Sequence, residues 1–192
     1  PGMGFGAGPT VRGGRRAGAQ RIGPGARARL MEAHRLKEGG QFTEAAARFS
    51  EMAGIARERQ MMRMATTLSG LAAQCAAAAG DKGGLVAATE AAIGDAKVDG
   101  DAKHSARTFG ELLGALEGTP FAGARGDFEG AIRSALGVTP STGSATPDVN
   151  RTLRRTLPSE CDECGAPVES AALRFSDDGH ADCPYCGSIL TA

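Results

Sequence analysis

Apolar side chains recur at steps of three and four residues over most of residues 27–137, a spacing that predicts helices rather than strands. The clearest case is the stretch 60–79, where Met61, Met64, Leu68 and Leu71 fall on one helical face together with Cys75. Glycines interrupt the pattern between stretches. The predicted first helices of three hairpins cover residues 27–38, 60–79 and 102–117, and the second helices cover 43–57, 85–97 and 128–137.

A short motif recurs at two equal offsets of 43 residues. It consists of a glycine, a bulky apolar residue two positions later and an alanine three positions after that, and it appears as Gly40-x-Phe42-x-x-Ala45, Gly83-x-Leu85-x-x-Ala88 and Gly126-x-Phe128-x-x-Ala131. Recurrence at a fixed interval is typical of arrays in which each unit is one helical hairpin. The sequence therefore predicts three such hairpins.

The turn and second helix of these units resemble a tetratricopeptide repeat, with Ala45, Phe49 and Met52 at the matching positions. Ala33 and Leu36 fall where that family keeps a small and a bulky residue on its first helix. The interval of 43 exceeds the family's repeat of about 34 residues. The resemblance implies a mainly α fold, an array of about three antiparallel helical hairpins, with a surface for binding other proteins.

Two Cys-x-x-Cys-Gly motifs, here called the first knuckle (residues 161–165) and the second knuckle (residues 183–187), lie near the C-terminus. Their spacing is that of four thiolates closing on one tetrahedral ion. We expect each glycine, Gly165 and Gly187, to adopt the positive φ that the turn requires. The predicted metal ligands are Cys161, Cys164, Cys183 and Cys186.

Residues 160–192 resemble a zinc ribbon, with a strand over 171–175 and a returning strand over 180–182. The same knuckles are also similar to rubredoxin, in which iron replaces zinc and carries electrons. Zn²⁺ is favoured here because only Phe175 and Tyr185 are available for the aromatic shell that surrounds the iron of that family. Four cysteine ligands leave no open position for water, so the metal is predicted to be structural and the chain is not expected to be an enzyme.

Charge and composition divide the chain into four parts. Residues 1–26 form a Gly- and Arg-rich tail predicted to be disordered, 27–137 the tetratricopeptide-like helical domain, 138–159 a flexible linker, and 160–192 the zinc ribbon. Residues 1–29 hold six arginines and no acid, whereas residues 160–192 hold seven acids and one arginine. The two ends are therefore oppositely charged, which is compatible with attraction between them, within a chain or between chains, or with a separate partner for each.

The three histidines and the fifth cysteine are not predicted to bind the metal or to take part in catalysis. His34 and His104 stand alone on helices and are predicted to be surface or interface residues, and His180 is predicted to be a strand or turn residue rather than a ligand. Cys75, in an Ala-rich helix, is predicted to be a small buried hydrophobe.

These features lead to three functional hypotheses. The first is a non-catalytic scaffold or adaptor that binds a protein partner or builds a larger complex, including a homo-oligomer. The second is a rubredoxin-like electron-transfer accessory protein. The third is a nucleic-acid-associated factor that uses the Arg-rich tail, which the acidic ribbon disfavours. Four of the five cysteines lie in motifs typical of metal-binding thiols in a reducing compartment rather than of a disulfide scaffold. With the lack of an apolar run long enough for a membrane span and of a secretory signal pattern, this predicts a cytoplasmic protein.

Overall fold

A computed structural model of the chain describes residues 23–140, 157–168, 173 and 181–190. These residues form a mainly α fold with a small antiparallel sheet, which confirms the predicted fold class. The α-helices are α1 (Pro24–Glu38), α2 (Phe42–Glu58), α3 (Met62–Ala78), α4 (Lys82–Asp99), α5 (Ala102–Ala115) and α6 (Arg125–Leu136). Two 3₁₀ turns, Leu116–Gly118 and Ala122–Ala124, connect α5 to α6. The strands are β1 (Ala181–Asp182) and β2 (Ile189–Leu190). Among the described helices, none is both long and apolar enough to cross a membrane.

Helices α2 to α5 follow one another at a constant interval. They begin at Phe42, Met62, Lys82 and Ala102, 20 residues apart. The residue two positions before each start has a positive φ, at Gly40, Gln60, Gly80 and Gly100. At the first three of these turns, the amide that follows this residue donates to a carbonyl five residues earlier at 2.9 Å, the bond that defines a Schellman motif. The same local device thus ends α1, α2 and α3 after 15 to 17 residues.

This interval differs from the predicted offset of 43 residues. Gly40 lies in a turn before α2, whereas Gly83 and Gly126 are the second residues of α4 and α6. The offset of 43 residues therefore relates α4 to α6. These two helices begin 43 residues apart because the connection between α5 and α6, with its two 3₁₀ turns, is longer than the turns between the preceding helices. Helices α2 and α4 begin 40 residues apart, so the three sequence motifs do not occupy equivalent places in the fold.

Helix α3 is the centre of the array and packs against α2, α4 and α5. The predicted face of Met64, Leu68, Leu71 and Cys75 is buried, but most of the other side chains of α3 are buried too. A helix buried on nearly all sides must have small residues where its neighbours come close. Gly70 is such a place, because a Cβ there would lie 2.7 Å from Cγ2 of Thr108 on α5.

The core has two parts that meet along α3. One combines α1, α2 and α3 with the four cysteines, and the other combines α3, α4, α5 and α6. A polar clamp ties α2, α3 and α4 together: the Arg57 guanidinium bonds both carboxylate oxygens of Asp95 at 2.7 and 3.0 Å, and Ser69 donates to the same carboxylate at 2.9 Å. Asp95 is buried, and these bonds compensate for the loss of its hydration.

The turn at Gln60 provides a direct test of this helix-ending device. Gln60 has φ 62°, a conformation that is costly for a residue with a Cβ, whereas Gly80 has the corresponding conformation at no such cost. We expect Gln60→Gly to raise the free energy of unfolding by about 0.5–1 kcal/mol and Gly80→Ala to lower it by about 1 kcal/mol. A Cβ at Gly80 meets no atom within 4 Å, so this control isolates the backbone effect. Urea unfolding followed by circular dichroism measures both, and a destabilised Gln60→Gly would contradict the interpretation.

Candidate metal centre

The two knuckles have the same backbone construction. The amide of Gly165 donates to the carbonyl of Cys161 at 2.6 Å, and the amide of Gly187 donates to that of Cys183 at 2.8 Å. Both glycines have a positive φ, 66° and 72°, as the sequence predicted. Each turn brings the first and last cysteine of its motif to the same side of the chain.

Short antiparallel pairings hold the knuckles in place. Strands β1 and β2 flank the second knuckle, with Ala181 opposite Leu190 and Asp182 opposite Ile189. A single bridge between Glu160 and Pro167 does the same for the first knuckle. The returning strand predicted over 180–182 is present at Ala181–Asp182, but its described partner is β2. The predicted strand 171–175, except Leu173, and His180 lie outside the described residues.

The four cysteine sulfurs form one compact group. Every ligand atom lies within 4.8 Å of the others, and the Sγ–Sγ distances are 3.8 Å for Cys161–Cys186 and 3.7 Å for Cys164–Cys183. A tetrahedral ion with metal–sulfur bonds of about 2.3 Å requires sulfurs about 3.8 Å apart. All four cysteines are buried. The geometry thus agrees with that of a tetrathiolate metal site.

Hydrogen bonds among the sulfurs lower the pKa of some of the four thiols and raise the pKa of the others. The pKa of Cys161 is held far below its usual value, because its sulfur accepts hydrogen bonds from Cys164, Cys183 and Cys186. The pKa of Cys186 is raised well above its usual value by hydrogen bonds with the other three sulfurs and by burial. The pKa of Cys183 is lowered as well and that of Cys164 is raised, so two of the four thiols are favoured as thiolates and ionisation of the other two is opposed. A cation that accepts all four sulfurs removes this opposition.

The second knuckle is docked on helix α1 through His34. The His34 ring nitrogen Nε2 lies 3.2 Å from the carbonyl oxygen of Tyr185. The imidazole stands edge-on between two aromatic rings, with centroids 5.0 Å from Phe49 and 4.9 Å from Tyr185. Burial lowers the pKa of His34, which keeps the ring neutral in this position.

Two arginines dock the same segment on helices α3 and α5. The guanidinium of Arg63 donates to the carbonyl of Gly187 at 2.8 Å and to Asp182 at 3.0 Å. Arg107 forms an ion pair with the other carboxylate oxygen of Asp182. Arg63 also pairs with Asp101, whose carboxylate caps the first turn of α5 by accepting from the amide of His104. Beside the first knuckle, Arg27 lies 3.6 Å from Glu160.

His104 lies beneath the second knuckle. Its Nε2 is 3.2 Å from both the carbonyl oxygen of Arg63 and the hydroxyl of Thr67, and a Cβ on Gly187 would lie 3.1 Å from its ring. The ring is 2% exposed. Burial, followed by the charges of Arg63 and Arg107, lowers the pKa of His104 to about 4.

These contacts decide between the two locations, surface or interface, that the sequence predicts for His34 and His104. His34 and His104 are not on the outer surface: they lie at an interface within the chain, because the ribbon covers them. Arg63, Arg107 and Asp182 were not identified from the sequence, since contacts between residues so far apart leave no local pattern. Cys75 is buried in α3 and burial raises its pKa to about 11, as expected of an inert thiol.

Comparisons with protein-family models, curated proteins and solved structures find no significant match. The four-cysteine cluster is compatible with a zinc ribbon, whereas the resemblance to tetratricopeptide repeats rests on the sequence alone.

Alanine substitutions at Gly165 and Gly187 test how much the contact between the second knuckle and the helices contributes to stability. A Cβ at Gly187 would overlap the Thr67 hydroxyl, which is held against the backbone of α3, whereas a Cβ at Gly165 would meet only the end of the flexible Arg27 side chain. We expect Gly165→Ala to cost about 1 kcal/mol from backbone strain alone. Gly187→Ala should lower the free energy of unfolding by at least twice as much. Equal losses in chemical denaturation would show that the docking contact does not contribute to stability.

The buried His104 makes stability depend on acidity. Its folded pKa lies below that of the unfolded chain, so unfolding takes up a proton below about pH 6.5, and the stabilisation present above that pH is lost as the pH falls towards 4. Between pH 7.5 and 5.5 we expect wild type to lose about 1 kcal/mol more than His104→Gln, measured by urea unfolding in identical metal-containing buffers. An identical pH dependence of the two proteins would contradict the buried, neutral state of His104.

Proposed function

We propose that the chain is a non-catalytic scaffold or adaptor whose C-terminal ribbon holds one structural zinc ion on Cys161, Cys164, Cys183 and Cys186. The observation that carries the proposal is the group of four buried sulfurs at separations matching a tetrahedral tetrathiolate site. Four protein ligands complete the coordination of the ion. Such a site contributes to folding and leaves no position at which a substrate would bind the metal.

The arrangement of the helices supports a role in binding. Hairpins that repeat at a constant interval build an extended surface whose area grows with each unit, which suits recognition of other proteins better than enclosure of a small molecule. Much of the core consists of alanine, which buries little area per residue. Association with a partner would add the burial that these small side chains do not supply.

The ribbon fits this role because it joins the helical core. Cys161, Cys164, Cys183 and Cys186 belong to the same buried cluster as Leu30, Phe49 and Leu68. Metal ligation has a large favourable free energy that becomes folding free energy when the site does not exist in the unfolded chain. We therefore infer that the bound ion stabilises the ribbon and the helices beneath it.

Zinc is preferred to iron, although both form tetrahedral tetrathiolate sites. The sequence has one tyrosine, Tyr185, and its ring contacts His34 on α1. The contact with His34 thus explains the position of the Tyr185 ring without an aromatic shell around an iron ion. A rubredoxin-like electron carrier remains the alternative, and the metal itself distinguishes the two.

Metal analysis with cysteine variants tests the proposal. We expect one zinc per chain and a colourless protein, and a cobalt-substituted form with the visible absorption of a tetrahedral tetrathiolate. Cys161→Ser should abolish or greatly weaken binding, whereas Cys75→Ala should retain one ion because Cys75 lies in α3, outside the cluster. A coloured iron protein would favour electron transfer. Absence of any bound metal under reducing conditions, or equal loss in both variants, would refute the site.

A further inference from the structure

Helices α1, α3 and α5 contribute side chains to one surface that contacts residues 182–187 of the same chain. His34 on α1, Arg63 and Thr67 on α3, and His104 and Arg107 on α5 all contact or lie beneath residues 182–187. We call these five side chains the odd-helix face. Since they come from three different helices, the face exists only when the array is folded.

The odd-helix face contacts residues 182–187 as a groove contacts a peptide. It bonds main-chain atoms: His34 bonds the carbonyl of Tyr185, and Arg63 donates to the carbonyl of Gly187. It also selects side chains, because two guanidiniums converge on the Asp182 carboxylate and an imidazole edge meets the Tyr185 ring. Main-chain bonds provide affinity and side-chain contacts provide specificity in peptide recognition generally.

Charge defines what this face prefers. The Asp182 side chain is only 15% exposed, and both of its oxygens bond arginine. Without that carboxylate, Arg107 would lose the ion-pair partner that the described residues give it, and Arg63 would keep one carboxylate, that of Asp101, and the carbonyl of Gly187. An anionic side chain followed three residues later by an aromatic ring, as in Asp182 and Tyr185, meets both requirements.

We propose that the odd-helix face is a binding site for an acidic segment of a partner protein, in which an acidic residue precedes an aromatic residue by three positions. The ribbon is its metal-dependent cover. This inference rests on the proposed metal site, because ligation by four cysteines is what shapes residues 182–187 to fit the face. Loss of the metal removes the folding free energy of the ribbon and uncovers the arginines.

Covalent attachment makes the cover effective. A tethered module acts at an effective concentration that is typically millimolar, so a folded ribbon excludes weak competitors without high intrinsic affinity. A metal-free ribbon loses the preorganised turn and with it most of this advantage. Access to the face is therefore controlled by whether the four cysteines are ligated.

A labelled peptide tests the proposal on the full chain. The probe reproduces residues 180–188 with positions 183 and 186 joined by a non-reducible thioether bridge, which closes the turn without metal, and a matched peptide replaces Asp182 with asparagine. Fluorescence anisotropy is measured with the zinc-loaded wild type and with the Cys161→Ser/Cys164→Ser variant. We expect the variant to bind the probe at least tenfold more tightly than the loaded wild type, and to bind the asparagine peptide at least tenfold less tightly than the probe.

Arginine variants locate the binding. Adding Arg107→Ala to the double cysteine variant should abolish binding of the probe, whereas adding Arg125→Ala should not, because Arg125 pairs with Glu117 away from the ribbon. If the double variant loses its helical circular dichroism, zinc-loaded Gly187→Ala replaces it, since the clash with Thr67 uncovers the face with all four cysteines intact. Equal affinity of loaded and uncovered forms, or no binding by any folded uncovered form, would overturn the proposal.

Two further measurements separate this inference from the metal proposal. Zinc content of the wild type tests the metal site by itself. Tyr185 is the tyrosine of a chain that lacks tryptophan, so its fluorescence and its quenching by iodide report undocking as metal is removed. A wild type that binds zinc and shows metal-dependent Tyr185 quenching, yet binds no probe when uncovered, would retain the site and the cover but exclude an acidic-peptide partner.

Discussion

The guanidinium of Arg63 joins three parts of the molecule that lie far apart in the sequence. From the first turn of α3 it reaches the carboxylate that caps α5, the carboxylate that precedes the second knuckle and the carbonyl of Gly187. The planar, five-donor group suits this task because several acceptors can be bonded at once without moving the side chain. Directional polar bonds and the close fit of Gly187 therefore fix the position of the ribbon on the helices, in addition to the apolar core that the two share.

This dependence follows from the small size of the core side chains. Alanine and glycine allow α3 to approach its neighbours closely, but each contact buries little apolar area. Helices of this composition gain less from burial than leucine-rich helices of the same length. The polar clamp at Arg57, Ser69 and Asp95 and the docked C-terminal segment supply stabilisation that the apolar core lacks.

Local features could be predicted from the sequence, and long-range ones could not. The helices were predicted because steps of three and four residues and glycine turns are short-range patterns, although α1 begins at Pro24 and not at residue 27. The cysteine cluster was predicted because ligand spacing within each knuckle is local. The 20-residue interval could not be recognised from glycine spacing, because Gln60 occupies a turn position that is glycine at the neighbouring turns. The burial of His104 could not be predicted, since it depends on a residue more than 80 positions away.

The constant interval of α2 to α5 has a consequence for how such a chain can change its length. Two successive helices occupy 40 residues, and the turns that end them depend on local backbone geometry. Duplicating or deleting one such unit would preserve the alternation of helices, so that those presenting side chains to the ribbon would still do so. Losing or gaining a single helix would reverse the alternation, so that the helices now in the even-numbered positions would lie beneath the ribbon. The architecture thus permits growth in pairs and resists growth by single helices.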